Sequence, residues 1–164
     1  MIDLIILDVD GCLTDGKIIY SNSGDETKNF SVKDGLAITS WIKLGHQAAI
    51  ITGRRSELVE RRAKELGITH LHQGIKDKAT LLKELSSELN IPLRNMAAMG
   101  DDLNDYKMLS IVGVSFTPNN GSKHLKSVVN RVCQTNGGEG AVREMIEELF
   151  EINDEVSDFL ALWQ

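Results

Sequence analysis

Residues 4–11 have the sequence Leu-Ile-Ile-Leu-Asp-Val-Asp-Gly, a short apolar run that ends in two acidic residues. Three further runs have the same form, namely Gln47–Thr52, Met96–Met99 and Val112–Phe116. Strands that are buried on both faces of a parallel sheet have this composition, and parallel neighbours need crossover connections, usually helices. The runs therefore predict the central sheet of an α/β protein.

The segments between these runs have helical spacing. Within Ser56–Leu66 apolar residues recur at i, i+4 and i+7, and Gly67 stands at the position of a C-terminal cap. Within Asp77–Leu89 leucines recur every four residues behind Asp77, a candidate N-cap. We expect a three-layer, Rossmann-like α/β fold in which residues 1–164 form a single domain without a cap domain.

Two segments fall outside this alternation. Lys17–Tyr20 and Glu26–Phe30 flank a polar loop, which predicts a β-hairpin over about residues 17–30. A lone hairpin is marginal in water, so we expect it to pack on another surface, and a neighbouring subunit is one candidate. The tail, residues 153–164, has apolar residues at helical spacing and can pack on its own domain or on a neighbour.

The composition narrows the class of protein. Apolar residues make up 41% of the chain and the formal net charge is −6, which disfavours a broad nucleic-acid interface. No apolar run approaches the roughly 20 residues that span a bilayer, and the first residues lack the pattern of a signal peptide. We therefore expect a cytoplasmic protein that binds neither nucleic acid nor membrane.

Reactive side chains follow the predicted strands, at the edge where open α/β sheets bind ligands. They are the side chains of Asp8, Asp10, Thr52, Arg54, Lys78, Asp101 and Asp102, and Gly53 stands between Thr52 and Arg54. Carboxylates that converge on one place raise one another's pKa values, and a hard divalent cation such as Mg²⁺ removes that penalty. The pattern predicts a magnesium site that receives an anionic substrate.

This set of residue types suits phosphoryl transfer. Asp8 can attack phosphorus to form an aspartyl-phosphate, which water then hydrolyses. Asp10 can protonate the leaving oxygen and later activate that water. Lys78 and the Thr52 hydroxyl can hold the phosphoryl oxygens. The sequence therefore predicts a magnesium-dependent phosphatase.

Other interpretations stay open for individual residues. Asp102 can orient Lys78 or a metal-bound water, or it can simply cap a helix. Asp105 is interpreted as an ordinary surface residue. Arg62 lies among other basic residues, so a solvated basic face is the alternative to substrate binding.

The motifs resemble those of the haloacid dehalogenase superfamily. Asp8-Val9-Asp10-Gly11 with Thr14, Thr52-Gly53-Arg54, Lys78 and Gly100-Asp101-Asp102 correspond to its four motifs in order and spacing. The resemblance implies that Asp8 is the nucleophile and Asp10 the acid/base. It also implies that Asp8, Asp101 and the backbone carbonyl of Asp10 bind Mg²⁺.

Within the superfamily, residues 30–35, 51–55, 67–74 and 137–144 resemble the 3-deoxy-D-manno-octulosonate 8-phosphate phosphatases of lipopolysaccharide sugar synthesis, which are capless homotetramers. This resemblance implies hydrolysis of that phosphorylated sugar acid. The substrate contacts that it implies are Asp10, Ser31, Val32, Lys33, Asp34, Gly35, Arg54, Arg62 and Lys78. Ser31, Lys33, Thr39 and Glu139 depart from residues common in the family, so the sugar stays open.

The spacing of two arginines bears on the oligomeric state. Arg62 lies eight residues after Arg54, which is roughly 12 Å along a helix. If both bind one small sugar acid, one of them comes from a neighbouring chain. This favours an oligomer with shared active sites.

The sequence bears on three alternatives to this function. A nine-carbon, sialic-acid-type sugar 9-phosphate is an alternative substrate, because Glu139 matches that related phosphatase. A receiver-like signalling domain is disfavoured, because its phospho-acceptor lies on a middle strand. A non-catalytic oligomerisation domain is disfavoured, because Asp8 and Asp10 are both present.

Overall fold

The computed structural model describes all residues from Met1 to Gln164. The strands are β1 (Leu4–Leu7), β2 (Ile19–Tyr20), β3 (Glu26–Thr27), β4 (Gln47–Ile51), β5 (His70–His72), β6 (Met96–Met99), β7 (Val114–Thr117) and β8 (Arg131–Val132). The helices are α1 (Val32–Lys43), α2 (Glu57–Leu66), α3 (Lys78–Glu88), α4 (Tyr106–Leu109), α5 (Lys123–Lys126), α6 (Ala141–Asn153) and α7 (Val156–Ala161).

Six strands form the central sheet in the order β5-β4-β1-β6-β7-β8, and every neighbouring pair is parallel. Along the chain, β4 and β5 follow β1 on one side of it, and β6, β7 and β8 then follow on the other side. The order therefore reverses between β1 and β6, and the carboxyl ends of these strands border the crevice where such sheets bind ligands. The predicted α/β fold is confirmed.

The alternating side chains of β1 contribute to two separate apolar layers. Ile5 and Leu7 belong to the core beneath α1, α2 and α6, whereas Leu4 and Ile6 belong to the core beneath α3 and α4. Full burial of each such side chain contributes roughly 1.5–3 kcal/mol. Because both faces of β1 are covered, its carboxyl end is held rigidly at the centre of the sheet.

Gly67 and Asp77 cap the helices that flank the crevice, as the sequence predicts. The Ser56 hydroxyl accepts the backbone N–H of Leu58 at the start of α2, and Gly67 ends this helix with a left-handed φ of 76°. The Asp77 carboxylate accepts the N–H of Thr80 and caps α3. The buried stripe of α3 differs from the prediction, because Leu82 and Leu85 enter the core while the predicted Leu81 and Leu89 pack at its edge.

The predicted hairpin forms, but its pairing is shorter than expected. β2 and β3 pair only through Ile19 with Thr27 and through Tyr20 with Glu26. It forms a separate two-stranded sheet, and no cap domain is present. In the tail, the Phe159 ring stacks on Phe150 of α6 with centroids 4.8 Å apart, so α7 packs on its own domain. None of the helices combines the length and apolarity that a bilayer span requires.

Candidate active site

The end of β1 turns sharply after Asp8 and brings the backbone against a later acid. Gly11 has a φ of 96°, and a Cβ at this position would lie 2.0 Å from Asp101 Oδ2. The Thr14 hydroxyl accepts the N–H groups of Gly11 and Gly16 at 3.3 and 3.2 Å and holds the turn in place. A glycine is therefore required where the first and fourth motifs meet.

A polar cavity of about 190 Å³ opens at the carboxyl ends of β1, β4 and β6. It has no apolar lining residue. The residues that line it are Asp8, Asp10, Thr52, Gly53, Arg54, Asp101, Asp102 and Asn104. The structure thus brings together seven positions singled out in the sequence and adds Asn104. A small polar cavity of this composition suits a phosphoryl group better than an apolar ligand.

Lys78 extends from the start of α3 to Asp8, at the edge of this cavity, and lies between two buried carboxylates. Its Nζ is 2.9 Å from Asp8 Oδ1 and 2.6 Å from Asp105 Oδ1. Asp105 Oδ2 also accepts the backbone N–H groups of Asp101 and Asp102, at 3.0 and 3.4 Å. One carboxylate therefore orients both the lysine and the loop that carries the fourth motif.

This position of Asp105 corrects the interpretation from sequence. Asp105 is completely buried and is not a surface residue. The Asp102 carboxylate instead accepts the N–H of Leu103 at 2.7 Å and caps the short turn Leu103–Asp105. The two acids, three residues apart, form a capping box, and that spacing was the signal in the sequence that could have identified Asp105.

The electrostatics of the cavity suit a bound cation. Burial, together with the charge of Asp105, raises the pKa of Asp8 to about 6, although Lys78 opposes this shift. Burial and the charge of Asp8 raise the pKa of Asp101 to about 7. Burial alone would lower the pKa of Lys78, but Asp8 and Asp105 raise it, so the ammonium stays charged. Two ionised carboxylates are stable here only if further positive charge is supplied.

The donor atoms present fit magnesium. Possible ligand atoms of Asp8, Cys12 and Asp101 lie within 4.8 Å of one another. Burial raises the pKa of the Cys12 thiol well above its usual range, so this sulfur stays protonated and is a poor ligand. The two carboxylates remain, and hard oxygen donors are those that Mg²⁺ prefers.

The hairpin supplies side chains to the rim of the cavity that the sequence did not identify. Lys28 Nζ donates to Asp10 Oδ1 at 2.6 Å. Arg54 Nη2 donates to Glu26 Oε1 at 3.0 Å and to the Tyr20 hydroxyl at 3.3 Å. Glu26 and Lys28 lie two residues apart and hence on one face of the hairpin, but only folding shows which face meets Asp10.

The other predicted substrate contacts lie away from this cavity, in a second group around the start of α1. Ser31, Val32, Lys33, Asp34 and Gly35 occupy the start of α1, and none of them lines the cavity around Asp8. The Asp34 carboxylate is buried and accepts the backbone N–H of Arg143 at 2.8 Å, while Gly35 lies against Arg62. In this chain these two residues have structural contacts, and the substrate contacts implied by resemblance stay predictions.

Arg62 belongs to this second group and not to the cavity. Its Nη2 donates to the Ser31 carbonyl at 3.3 Å, and its guanidinium lies over the Phe30 ring at 5.7 Å. It lines a separate groove of about 200 Å³ that also contains Arg61. Arg54 and Arg62 therefore serve different cavities within one chain.

Nearly the whole chain is similar to proteins of one enzyme family. Residues 71–146 match the haloacid dehalogenase-like hydrolases. The chain is 41% identical to the 3-deoxy-D-manno-octulosonate 8-phosphate phosphatase KdsC of Yersinia pestis over 155 residues, which cover 94% of this chain and 83% of the relative. The chain belongs to the 3-deoxy-D-manno-octulosonate 8-phosphate phosphatase family.

Solved structures of this phosphatase family agree with the fold. The crystal structure from Moraxella catarrhalis, in complex with a magnesium ion, a phosphate ion and a KDO molecule, is 44% identical with a TM-score of 0.96. The match covers 99% of this chain and 94% of the Moraxella catarrhalis chain. The cobalt-bound phosphatase from Haemophilus influenzae is 34% identical with a TM-score of 0.91, covering 95% of this chain and 91% of that chain. The family and the hydrolase class predicted from the motifs are confirmed.

We expect Asp105→Asn to lower phosphatase activity by roughly ten- to a hundredfold, because the variant loses the charge that orients Lys78. Asp102→Asn should cost less, because its carboxylate caps a turn and does not orient Lys78. Initial rates of phosphate release at saturating Mg²⁺ measure both. A larger loss for Asp102→Asn than for Asp105→Asn would reverse the roles assigned to the two acids.

The pKa values of Asp8 and Asp101, about 6 and about 7, predict a pH dependence of metal binding. Both exceed the ordinary value of 3.8, so the metal-free folded protein loses stability as the pH rises from about 4 to about 7. Mg²⁺ requires the ionised carboxylates, so the rise in Tm on adding it should be small at about pH 5 and larger at about pH 8. Thermal unfolding with and without Mg²⁺ measures this, and Asp101→Asn should weaken the effect at the higher pH.

Proposed function

We propose that the protein is a magnesium-dependent phosphatase that hydrolyses 3-deoxy-D-manno-octulosonate 8-phosphate to the free sugar acid and phosphate. The observation that carries this proposal is the buried Asp8–Lys78–Asp105 arrangement behind a polar cavity of about 190 Å³ that Asp8 and Asp101 line. It is supported by relatives of that activity that match the chain along most of its length. The product belongs to the synthesis of a lipopolysaccharide sugar.

Asp8 is the nucleophile in this proposal. Its carboxylate attacks phosphorus, a phosphorus–oxygen bond to Asp8 forms as the bond to the sugar oxygen breaks, and an aspartyl-phosphate results. Lys78 keeps Asp8 oriented and places a positive charge beside the phosphoryl oxygens. The Thr52 hydroxyl and the Gly53 backbone border the same cavity and bind the phosphoryl group.

Asp10 is the acid and then the base. Its carboxyl group delivers a proton to the sugar oxygen as that oxygen leaves, and it takes a proton from the water that hydrolyses the aspartyl-phosphate. Asp10 lines the cavity two residues after Asp8, so both acids come from the same strand end. One fixed backbone segment therefore carries both halves of the reaction.

Asp8, Asp101 and the backbone carbonyl of Asp10 would hold Mg²⁺. When bound, the ion offsets the repulsion among these carboxylates and the anionic phosphate and stabilises charge during transfer. The carboxylates around the cavity outnumber its basic groups, so a phosphate dianion needs this charge to enter.

We also propose a homotetramer with shared active sites. Arg54 lines the cavity around Asp8 and Arg62 does not, so a substrate that contacts both takes one of them from a neighbour. The chain has no cap domain, and exposed apolar residues on the hairpin and on α1 offer a surface for a neighbouring copy. These residues are Ile18, Ile19, Tyr20, Val32 and Leu36. The cytoplasmic location expected from the sequence stays a prediction.

The substrate is tested by phosphate release from a panel of eight- and nine-carbon sugar acid phosphates in the presence of Mg²⁺. We expect the highest kcat/KM for 3-deoxy-D-manno-octulosonate 8-phosphate, and we expect Asp8→Asn to abolish turnover because an amide cannot act as the nucleophile. A preference for the nine-carbon 9-phosphate would identify the alternative substrate. Undiminished activity of Asp8→Asn would contradict the assigned nucleophile.

Shared sites are tested by mixing two impaired variants, Asp8→Asn and Arg62→Ala. Each alone should be nearly inactive towards the sugar phosphate. After subunit exchange, activity should return in part, because an intact Asp8 cavity can then meet an intact Arg62 of a neighbour. Light scattering should give the mass of a tetramer. A monomer, or no recovery on mixing despite exchange, would remove the shared-site proposal.

A further inference from the structure

The hairpin places a buried lysine against the second acid of the active site. The side chain of Lys28 is only 1% exposed, and its Nζ lies 2.6 Å from Asp10 Oδ1 and 3.3 Å from Glu26 Oε1. By contrast, the side chain of Lys17 on the same hairpin is 75% exposed and pairs only with Asp15. A buried ammonium is costly unless carboxylates surround it, so the position of Lys28 depends on Asp10 and Glu26.

We infer that Lys28 is a positioning residue for Asp10, which it holds by one carboxylate oxygen so that the other faces the reacting group. The inference depends on the proposed function, in which Asp10 is the acid/base. Asp10 Oδ2 lies 3.9 Å from Arg54 Nε, and the Arg54 side chain lines the cavity. Oδ1 is thus occupied by Lys28, while Oδ2 is on the cavity side.

Such a constraint is needed because the χ2 angle of an aspartate side chain has a broad distribution. A general acid acts when its oxygen is about 2.6–3.2 Å from the atom that receives the proton. A displacement of about 1 Å can cost roughly a hundredfold in rate. The contact with Lys28 fixes the torsion of Asp10 from outside the cavity and leaves Oδ2, which Lys28 does not contact, for the leaving oxygen.

Glu26 extends this arrangement to Arg54. Burial alone would raise the pKa of Glu26, but hydrogen bonds from Arg54 and Lys28 lower it, so this carboxylate stays ionised. It contacts Lys28 at 3.3 Å and Arg54 at 3.0 Å. The Arg54 Nε is buried, has no hydrogen-bond partner and faces Asp10. A continuous row of alternating charges therefore connects the hairpin to the acid/base.

The alternative role for Lys28 is purely structural, as an attachment of the hairpin. Two substrates distinguish the roles. A sugar phosphate releases an alkoxide oxygen, which must take the proton from Asp10 as its bond to phosphorus breaks and the bond from Asp8 forms. p-Nitrophenyl phosphate releases a stabilised phenolate that leaves without a proton. Only the first substrate depends on a well-placed acid in the step that kcat/KM reports.

We expect Lys28→Met to lower kcat/KM for the sugar phosphate on the order of ten- to a hundredfold, and for p-nitrophenyl phosphate by less than about threefold. Methionine fills a similar volume without the charge. Lys28→Arg retains a donor and should recover much of the loss. Lys17→Met is the matched control on the same hairpin and should behave as the wild type with both substrates.

Equal losses with the two substrates would mean that Lys28 only holds the hairpin, and unchanged activity would mean that Asp10 needs no such contact. Either result overturns the inference. If the wild type fails on the eight-carbon phosphate, the proposed substrate is contradicted instead. The same comparison then uses the nine-carbon 9-phosphate, which also releases an alkoxide, so the inference is tested in both cases.

Discussion

The Lys78 ammonium, held between the buried carboxylates of Asp8 and Asp105, is the interaction on which the site depends. Its Nζ lies 2.9 and 2.6 Å from these groups. Without it, burial and mutual repulsion would favour protonation of Asp8, and a protonated carboxyl group is a poor nucleophile. The lysine counters part of that shift, and the pKa of Asp8 of about 6 leaves the rest to a cation. The protein therefore stabilises the nucleophile in part by itself and needs a metal to complete the charge balance.

A buried lysine also pairs with Asp10, the second acid that follows β1. Asp8 pairs with Lys78 from α3, and Asp10 pairs with Lys28 from the hairpin. Both lysines are buried, with side chains at most 2% exposed. Each acid thus has a buried cation of its own. Because the two cations come from different elements, α3 and the hairpin must both be in place for the pair of acids to be correctly oriented.

Local periodicity and helix caps were sufficient to predict much of the central sheet and its flanking helices. β1 and β6 have the predicted bounds, and Gly67 and Asp77 cap the helices expected of them, because these features depend on neighbours in sequence. The role of Asp105 was missed because its burial depends on a turn that folds back beneath Asp101. Lys28 was missed because the contact with Asp10 joins residues 18 positions apart through the docking of a hairpin, which no local pattern encodes.

Because no cap domain is present, the hairpin is the element that contacts the rim of the active site. A lid would exclude water and grip the sugar, but here one small hairpin contacts the rim through Tyr20, Glu26 and Lys28. Those side chains are directed at Arg54 and Asp10, while the apolar Ile18 and Ile19 remain exposed on the same hairpin. The polar contacts fix the hairpin to its own active site, and the exposed apolar residues are free for a neighbouring copy. Burying them in an assembly would therefore make the hairpin, and with it the position of the acid/base, more rigid than in an isolated chain.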